Sequence, residues 1–171
     1  SENPIADAKS IMASRLRHGS LSRCSRWAGE TIYMPAHNGK PGGPFSTNDY
    51  PWMDEVLDTR ATFNWFRKSA QIGATVGGMV RGFHEVTYFG RDTMYLLPTD
   101  KVATVVSKTR FANLIADSPD LSRHCVDSLQ VKQFGRNTLY IRGANGDINV
   151  KSTPVDRIII DEADEMTDRQ I

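Results

Sequence analysis

The apolar run Ile158-Ile159-Ile160, closed at once by Asp161 and Glu162, constrains this chain more than any other stretch. Residues 155–160 suit a strand, and a strand that delivers two acids at its carboxyl end puts them where ligands bind in open α/β sheets. Another strand is expected over 93–97 (Thr-Met-Tyr-Leu-Leu), stopped by Pro98, and another over 61–66. Helices are expected over 74–85, behind a Gly-bearing turn, and over 100–116, with Asp100 able to cap the second. Residues 130–134 and 138–142 flank Gly135-Arg136-Asn137 and read as a hairpin. Strands alternating with helices in this way argue for an α/β fold with a mostly parallel sheet flanked by helices.

A chain of 171 residues, 39% hydrophobic, fits one compact domain with a real core, which argues against wholesale disorder. Twenty-one Lys and Arg against 20 Asp and Glu leave a formal charge of +1, so any basic surface for nucleic acid has to be local. Cys24 and Cys125 stand far apart without a clustered His, which argues against a disulfide scaffold or a zinc site. The longest apolar stretches are too short to cross a bilayer, and the start Ser-Glu-Asn-Pro lacks the apolar core of a signal peptide. A reducing cytoplasm is the default compartment. Residues 1–48 mix a short helical stretch (5–17) with a Pro/Gly cluster at 37–44, and read as an irregular arm packing on a core over 49–171. Trp27, Trp52 and Trp65 are assigned to core packing.

The segment Lys68-Ser69-Ala70-Gln71-Ile72-Gly73-Ala74-Thr75 has the outline of a phosphate loop, G-x-x-x-x-G-K-[ST]. In that loop backbone N–H groups and a Lys hold phosphates while the Ser or Thr hydroxyl reaches magnesium. Gly73 and Thr75 stand in register, but Ala74 replaces the usual Lys. Lys68, at the position of the first Gly, offers a flexible cation able to reach back toward the β/γ-phosphates; Arg67 is a neighbouring alternative. Alone, a Gly between strand and helix is often just a tight turn. The acid pair supplies the second half: Asp161 to hold magnesium, Glu162 to orient or deprotonate water. A buried strand ending in a solvated acidic turn is the competing reading.

Taken together, Ser25-Arg26-Trp27-Ala28, Tyr50-Pro51-Trp52-Met53, Arg67 through Thr75, Leu97-Pro98-Thr99-Asp100, Arg142-Gly143-Ala144-Asn145 and Ile160-Asp161-Glu162-Ala163-Asp164 resemble the large terminase subunit of tailed bacteriophages, in its lambda-type branch. The likeness runs from about Ser25 to Met166. It implies a P-loop NTPase fold of the RecA/ASCE type and an ATPase that moves double-stranded DNA into a procapsid. The implied cofactors are ATP and Mg2+. The implied partners are a small terminase subunit, the portal protein and further copies of the chain in an oligomeric motor, all in the host cytoplasm and without a membrane. By the same resemblance the displaced loop lysine is Lys68, the magnesium-side hydroxyl is Thr75, the metal carboxylate is Asp161 and the catalytic acid is Glu162. Gln71 matches a glutamine common in these loops. Tyr50 falls near an adenine-contacting segment, although an aromatic in such an arm also serves as a packing anchor.

The chain departs from the pattern in two loop positions. Ala70 stands where some relatives have Arg, and Val76 where some have Lys, so the arginine finger is unassigned. The family continues into the rest of the ATPase and an RNase H-like nuclease. The chain is therefore expected to be a fragment without nuclease activity and with little turnover alone. Two rival readings stand beside this one. Asp161-Glu162-Ala163-Asp164 also spells a helicase signature, though a helicase loop carries Lys at position 74. The other rival is a nucleotide-binding or assembly module without turnover. Leu97-Pro98-Thr99-Asp100 reads as a strand stop and helix cap beside the loop, or as a sensor of nucleotide or DNA. Lys101, Lys108, Arg110 and Arg123 fit either a local DNA-tracking surface or solvated helix faces. His37, His84 and His124 have no ligand spacing.

Overall fold

The computed structural model describes residues 19–36, 39, 41–67, 73–145 and 152–167. Helix α1 (Cys24–Thr31) leads into a short antiparallel ladder of β1 (Tyr33–Met34) with β2 (Gly43–Pro44), followed by α2 (Trp52–Asp58) and α3 (Ala74–Thr87). Strand β3 (Thr93–Leu97) is followed by α4 (Asp100–Val106), a π turn (Ser107–Phe111) and α5 (Ala112–Asp117). Helix α6 (Pro119–His124), strands β4 (Cys125–Asp127), β5 (Val131–Phe134), β6 (Asn137–Gly143) and β7 (Arg157–Ile160), and a 3-10 turn (Ala163–Glu165) complete the chain order.

The larger sheet has the order β4-β5-β6-β3-β7. β3 lies between β6 and β7 and runs parallel to both, while β4, β5 and β6 pair antiparallel. The expected hairpin is therefore present, and through it the sheet is mixed: parallel on the side that matters for the site, antiparallel on the other. All five β3 residues are buried, as befits a strand flanked on both edges. Alternation splits β3 between two faces. Tyr95 and Leu97 join a core with Phe83, Phe111, Leu139 and Ile141. Met94 and Leu96 pack with Ala144 and Met166 on the other face.

Helix α3 covers the first face. Phe83 meets Phe111 and Phe134 edge-on, with ring centroids 5.6 and 5.9 Å away. At the helix's carboxyl half the buried Glu85 is ringed by Arg81 (2.9 Å), Arg91 (3.0 Å) and Arg157 (3.7 Å), tying α3 to the start of β7. The amino-terminal region is bound to the same core. Cys24, Trp27, Ala28 and Ile32 are buried in it, and Trp52 packs against it. Helix α1 has no cap of its own. Asp58, at the end of α2, supplies one by accepting from the Ser25 N–H (2.9 Å) and hydroxyl (2.7 Å) and from Arg23 (2.9 Å). That helix and the small ladder add regular structure to a region expected to be irregular.

Four expectations need correcting. Residues 61–66 form no strand, and Phe63 and Trp65 stand 75% and 73% exposed, so Trp65 is not a core residue. Their rings make local pairs: Phe66 lies flat on Trp52 (5.1 Å) and Phe63 meets Trp65 edge-on (6.2 Å). The helix expected over 100–116 is interrupted by the π turn, which brings Ser107 and Phe111 into the core. Its cap is Thr99, whose hydroxyl accepts from the Val102 N–H (3.2 Å), and not Asp100.

Asp100 is drawn instead into a lock between β3 and β6. Its carboxylate accepts from the Gly143 N–H (3.0 Å), its own N–H donates to the Asn145 side chain (2.9 Å), and the Ala144 N–H donates to the Leu97 carbonyl (2.7 Å). Only glycine fits at 143, because a Cβ there would lie 2.0 Å from the Asp100 nitrogen. The Leu-Pro-Thr-Asp and Arg-Gly-Ala-Asn segments are thus two sides of one backbone clasp at the carboxyl edge of the sheet. The helical run 5–17 and His37 lie outside the described residues.

Candidate nucleotide site

The register pairs Leu97 with Gly143 and Leu96 with Ile160, so β3, β6 and β7 end at one edge. Asp161 continues β7 by donating its N–H to the Leu96 carbonyl (3.0 Å), which fixes its backbone to the central strand. It is only 7% exposed. One carboxylate oxygen accepts from the Glu162 N–H (3.0 Å) and the other from the Tyr95 hydroxyl (2.8 Å). Burial first, and then the Asp161 charge, hold the Tyr95 phenol well above its ordinary range, so it remains a proton donor.

The same hydroxyl lies 3.4 Å from the backbone carbonyl of Thr75, in the first turn of α3. Thr75 and Asp161, far apart in sequence, therefore share one phenol. Gly73 precedes the helix in the left-handed region (φ 78°). A 14-residue helix starts there, and the first-turn N–H groups of such a helix favour anions. Tyr50 sits against this turn: its ring is 3.7 Å from where a Cβ on Gly73 would be. Lys68, Ser69, Ala70, Gln71 and Ile72 lie outside the described residues, whereas Gly73, Ala74, Thr75, Tyr50, Asp161 and Glu162 are described.

Glu162 has φ 57° and ψ 41°, making it the one non-glycine residue with positive φ among the described residues. Left-handed backbone at a bulky side chain costs on the order of 1–3 kcal/mol and clusters at functional sites. Here the kink turns the chain from β7 into the 3-10 turn directly behind Asp161.

The donors fit a small hard cation. Mg2+ takes oxygen ligands and is held by one or two protein groups together with substrate phosphates. The buried, oriented carboxylate of Asp161 is a ligand of that kind, and the helix start beside it suits the phosphates. Among the described residues there is no cluster of three or more His, Cys, Asp and Glu, as is ordinary for a site completed by phosphate. The described histidines and the cysteines make their contacts elsewhere. The buried His84 Nε2–H donates to the Leu21 carbonyl (3.0 Å), His124 bonds the Asp120 carbonyl (2.8 Å), and burial raises both thiols, that of Cys125 to about 11. Arg123 is held by Asp120 (3.1 Å), while Lys101, Lys108 and Arg110 are exposed. An open hollow of about 440 Å³, lined by Trp27, Val86 and Tyr88, lies toward the carboxyl end of α3, away from the carboxylate edge.

Sequence reasoning missed Tyr95. The available signal was a phenol inside an otherwise apolar strand, since a buried tyrosine hydroxyl needs a partner.

Fold and site together define an α/β domain with an acidic strand end beside a helix start, at the sheet edge where ligands bind in open α/β folds. The model of the family described as phage terminase large subunit gpA, ATPase domain, matches residues 39–170. The chain belongs to that family and is the ATPase segment of a DNA-packaging motor. Neither curated proteins nor solved structures gave a match. Among the described residues no helix is long and apolar enough to cross a membrane.

Proposed function

We propose that residues 68–75, Asp161 and Glu162 form an ATP·Mg2+ site in a P-loop domain of the RecA/ASCE type, and that hydrolysis there drives double-stranded DNA into a procapsid. Lys68 neutralises the β/γ-phosphates from the start of the loop, replacing the lysine missing at Ala74. Backbone N–H groups of Ser69, Ala70, Gln71, Ile72, Gly73 and Ala74 cradle phosphate oxygens, and Tyr50 stacks on adenine. Thr75 and Asp161 would hold Mg2+, which when bound supplies charge neutralisation for the transferring phosphoryl group. Glu162 accepts a proton from the attacking water and orients it.

The supporting observation is the meeting of Thr75 and Asp161 at a single hydroxyl, since a phosphate-loop helix and its acidic strand must converge on one ligand. The working assembly in this reading includes a small terminase subunit, the portal protein, DNA and further copies of the chain in the host cytoplasm. No contact among the described residues favours a helicase or a non-enzymatic module. The test is made in the complete large subunit. Lys68→Ala should abolish ATPase and packaging together, and Glu162→Gln should lose turnover by about 10²–10⁴ while retaining nucleotide. Intact ATPase and packaging with Lys68→Ala would sink the proposal.

A further inference from the structure

Resting on the nucleotide reading above, we propose that Tyr95 is a positioning residue for Asp161: its hydroxyl orients the carboxylate assigned there to the metal. The ring is wholly buried and held edge-on by Phe111 at 5.1 Å. Helix α3 makes room for it at Gly78, where a Cβ would approach the phenol oxygen to 3.1 Å and Cε2 to 3.3 Å. An unadorned phenyl ring would fill this slot without a polar group to satisfy. The phenol therefore carries a desolvation cost that only its hydrogen bond offsets.

That bond goes to Asp161, at 2.8 Å, with the Thr75 carbonyl at 3.4 Å as the more distant acceptor. A tyrosine hydroxyl has one proton, and the shorter contact takes it. With the Glu162 N–H on the other oxygen (3.0 Å), both carboxylate oxygens receive a donor from described residues, which restrains the plane of the group. Because Tyr95 sits on the central strand, one side of the carboxylate is held by the most buried element of the sheet and the other by the acidic turn. Outer hydrogen bonds of this kind orient metal-binding carboxylates and tune their affinity.

The experiment measures Mn2+ binding by electron paramagnetic resonance in the presence of ADP, for the 171-residue chain and its Tyr95→Phe, Asp161→Asn and doubly substituted forms. Metal-free ADP binding in EDTA is measured in parallel. Tyr95→Phe should weaken Mn2+ about tenfold, the effect of losing a hydrogen bond to a charged group, with metal-free ADP binding unchanged. In the Asp161→Asn background the same change should add nothing, since the phenol acts through the carboxylate. Mn2+ affinity within twofold of wild type for Tyr95→Phe, when Asp161→Asn is impaired, overturns the positioning role and leaves the site standing. Additive losses in the double variant also overturn it. An Asp161→Asn protein with unchanged Mn2+ affinity removes the nucleotide reading itself. Should Tyr95→Phe fail to fold, Gly78→Ala crowds the phenol with its hydroxyl retained and is expected to give a similar loss; wild-type affinity there contradicts the proposal.

Discussion

The backbone at Glu162 can be tested separately from its side chain by comparing Glu162→Gly with Glu162→Ala. Both remove the carboxylate and every contact it makes, so their difference reports the left-handed conformation at φ 57° and ψ 41°. An alanine in that region costs roughly 1–2 kcal/mol more than a glycine. Against this, glycine gives the unfolded chain extra freedom that costs the folded state about 0.4–1 kcal/mol. The glycine variant should therefore be the more stable by about 0.5–1 kcal/mol, which for a chain of this size raises Tm by about 2–3 °C. Urea unfolding followed by tryptophan fluorescence measures the difference directly. In the complete motor neither variant should hydrolyse ATP, so the more stable protein is also an inactive one. An alanine variant equal to or more stable than the glycine variant would refute the strained turn.

Further outcomes follow from the core. Glu85→Ala should destabilise by about 3 kcal/mol, because it strands Arg81, Arg91 and Arg157 together around an emptied, largely buried position; a loss under about 1 kcal/mol in urea unfolding would contradict this. His84 is held below its ordinary range, first by burial, and its Nδ1 has no partner among the described residues. The folded state therefore disfavours the proton: stability is fully present above the unfolded value near 6.5, falls as pH drops below it, and falls less in His84→Gln. Gly143→Ala should cost about 3 kcal/mol by driving a Cβ into the Asp100 backbone, and a thermal melt within 2–3 °C of wild type would refute the clasp.

What the sequence revealed was local. The α3 helix, β3, β7 and the β5–β6 hairpin follow from periodicity and turn residues within a dozen positions, and the acid pair was legible because it ends an apolar run. What it concealed depends on distant partners. Asp100 looked like a helix cap until Gly143 and Asn145 claimed it, leaving the cap to Thr99. Residues 61–66 have strand-like composition, but composition does not provide a ladder, and their aromatic rings pack locally. Tyr95 was read only as part of a strand because its partner lies 66 positions away in sequence. The phosphate loop was legible only as a pattern, and Lys68 through Ile72 lie outside the described residues. The geometry thus bears on the two ends of the site, Gly73 to Thr75 and Asp161 to Glu162.

The most direct measurement is calorimetric titration of the 171-residue chain and its Lys68→Ala variant with ATP in Mg2+, under conditions that limit turnover. A single site in the wild-type chain, weakened about tenfold or more by Lys68→Ala, is the expected result for a lysine paired with phosphate. No binding to the wild-type chain, or equal affinity in the variant, would contradict an ATP site built on the displaced lysine.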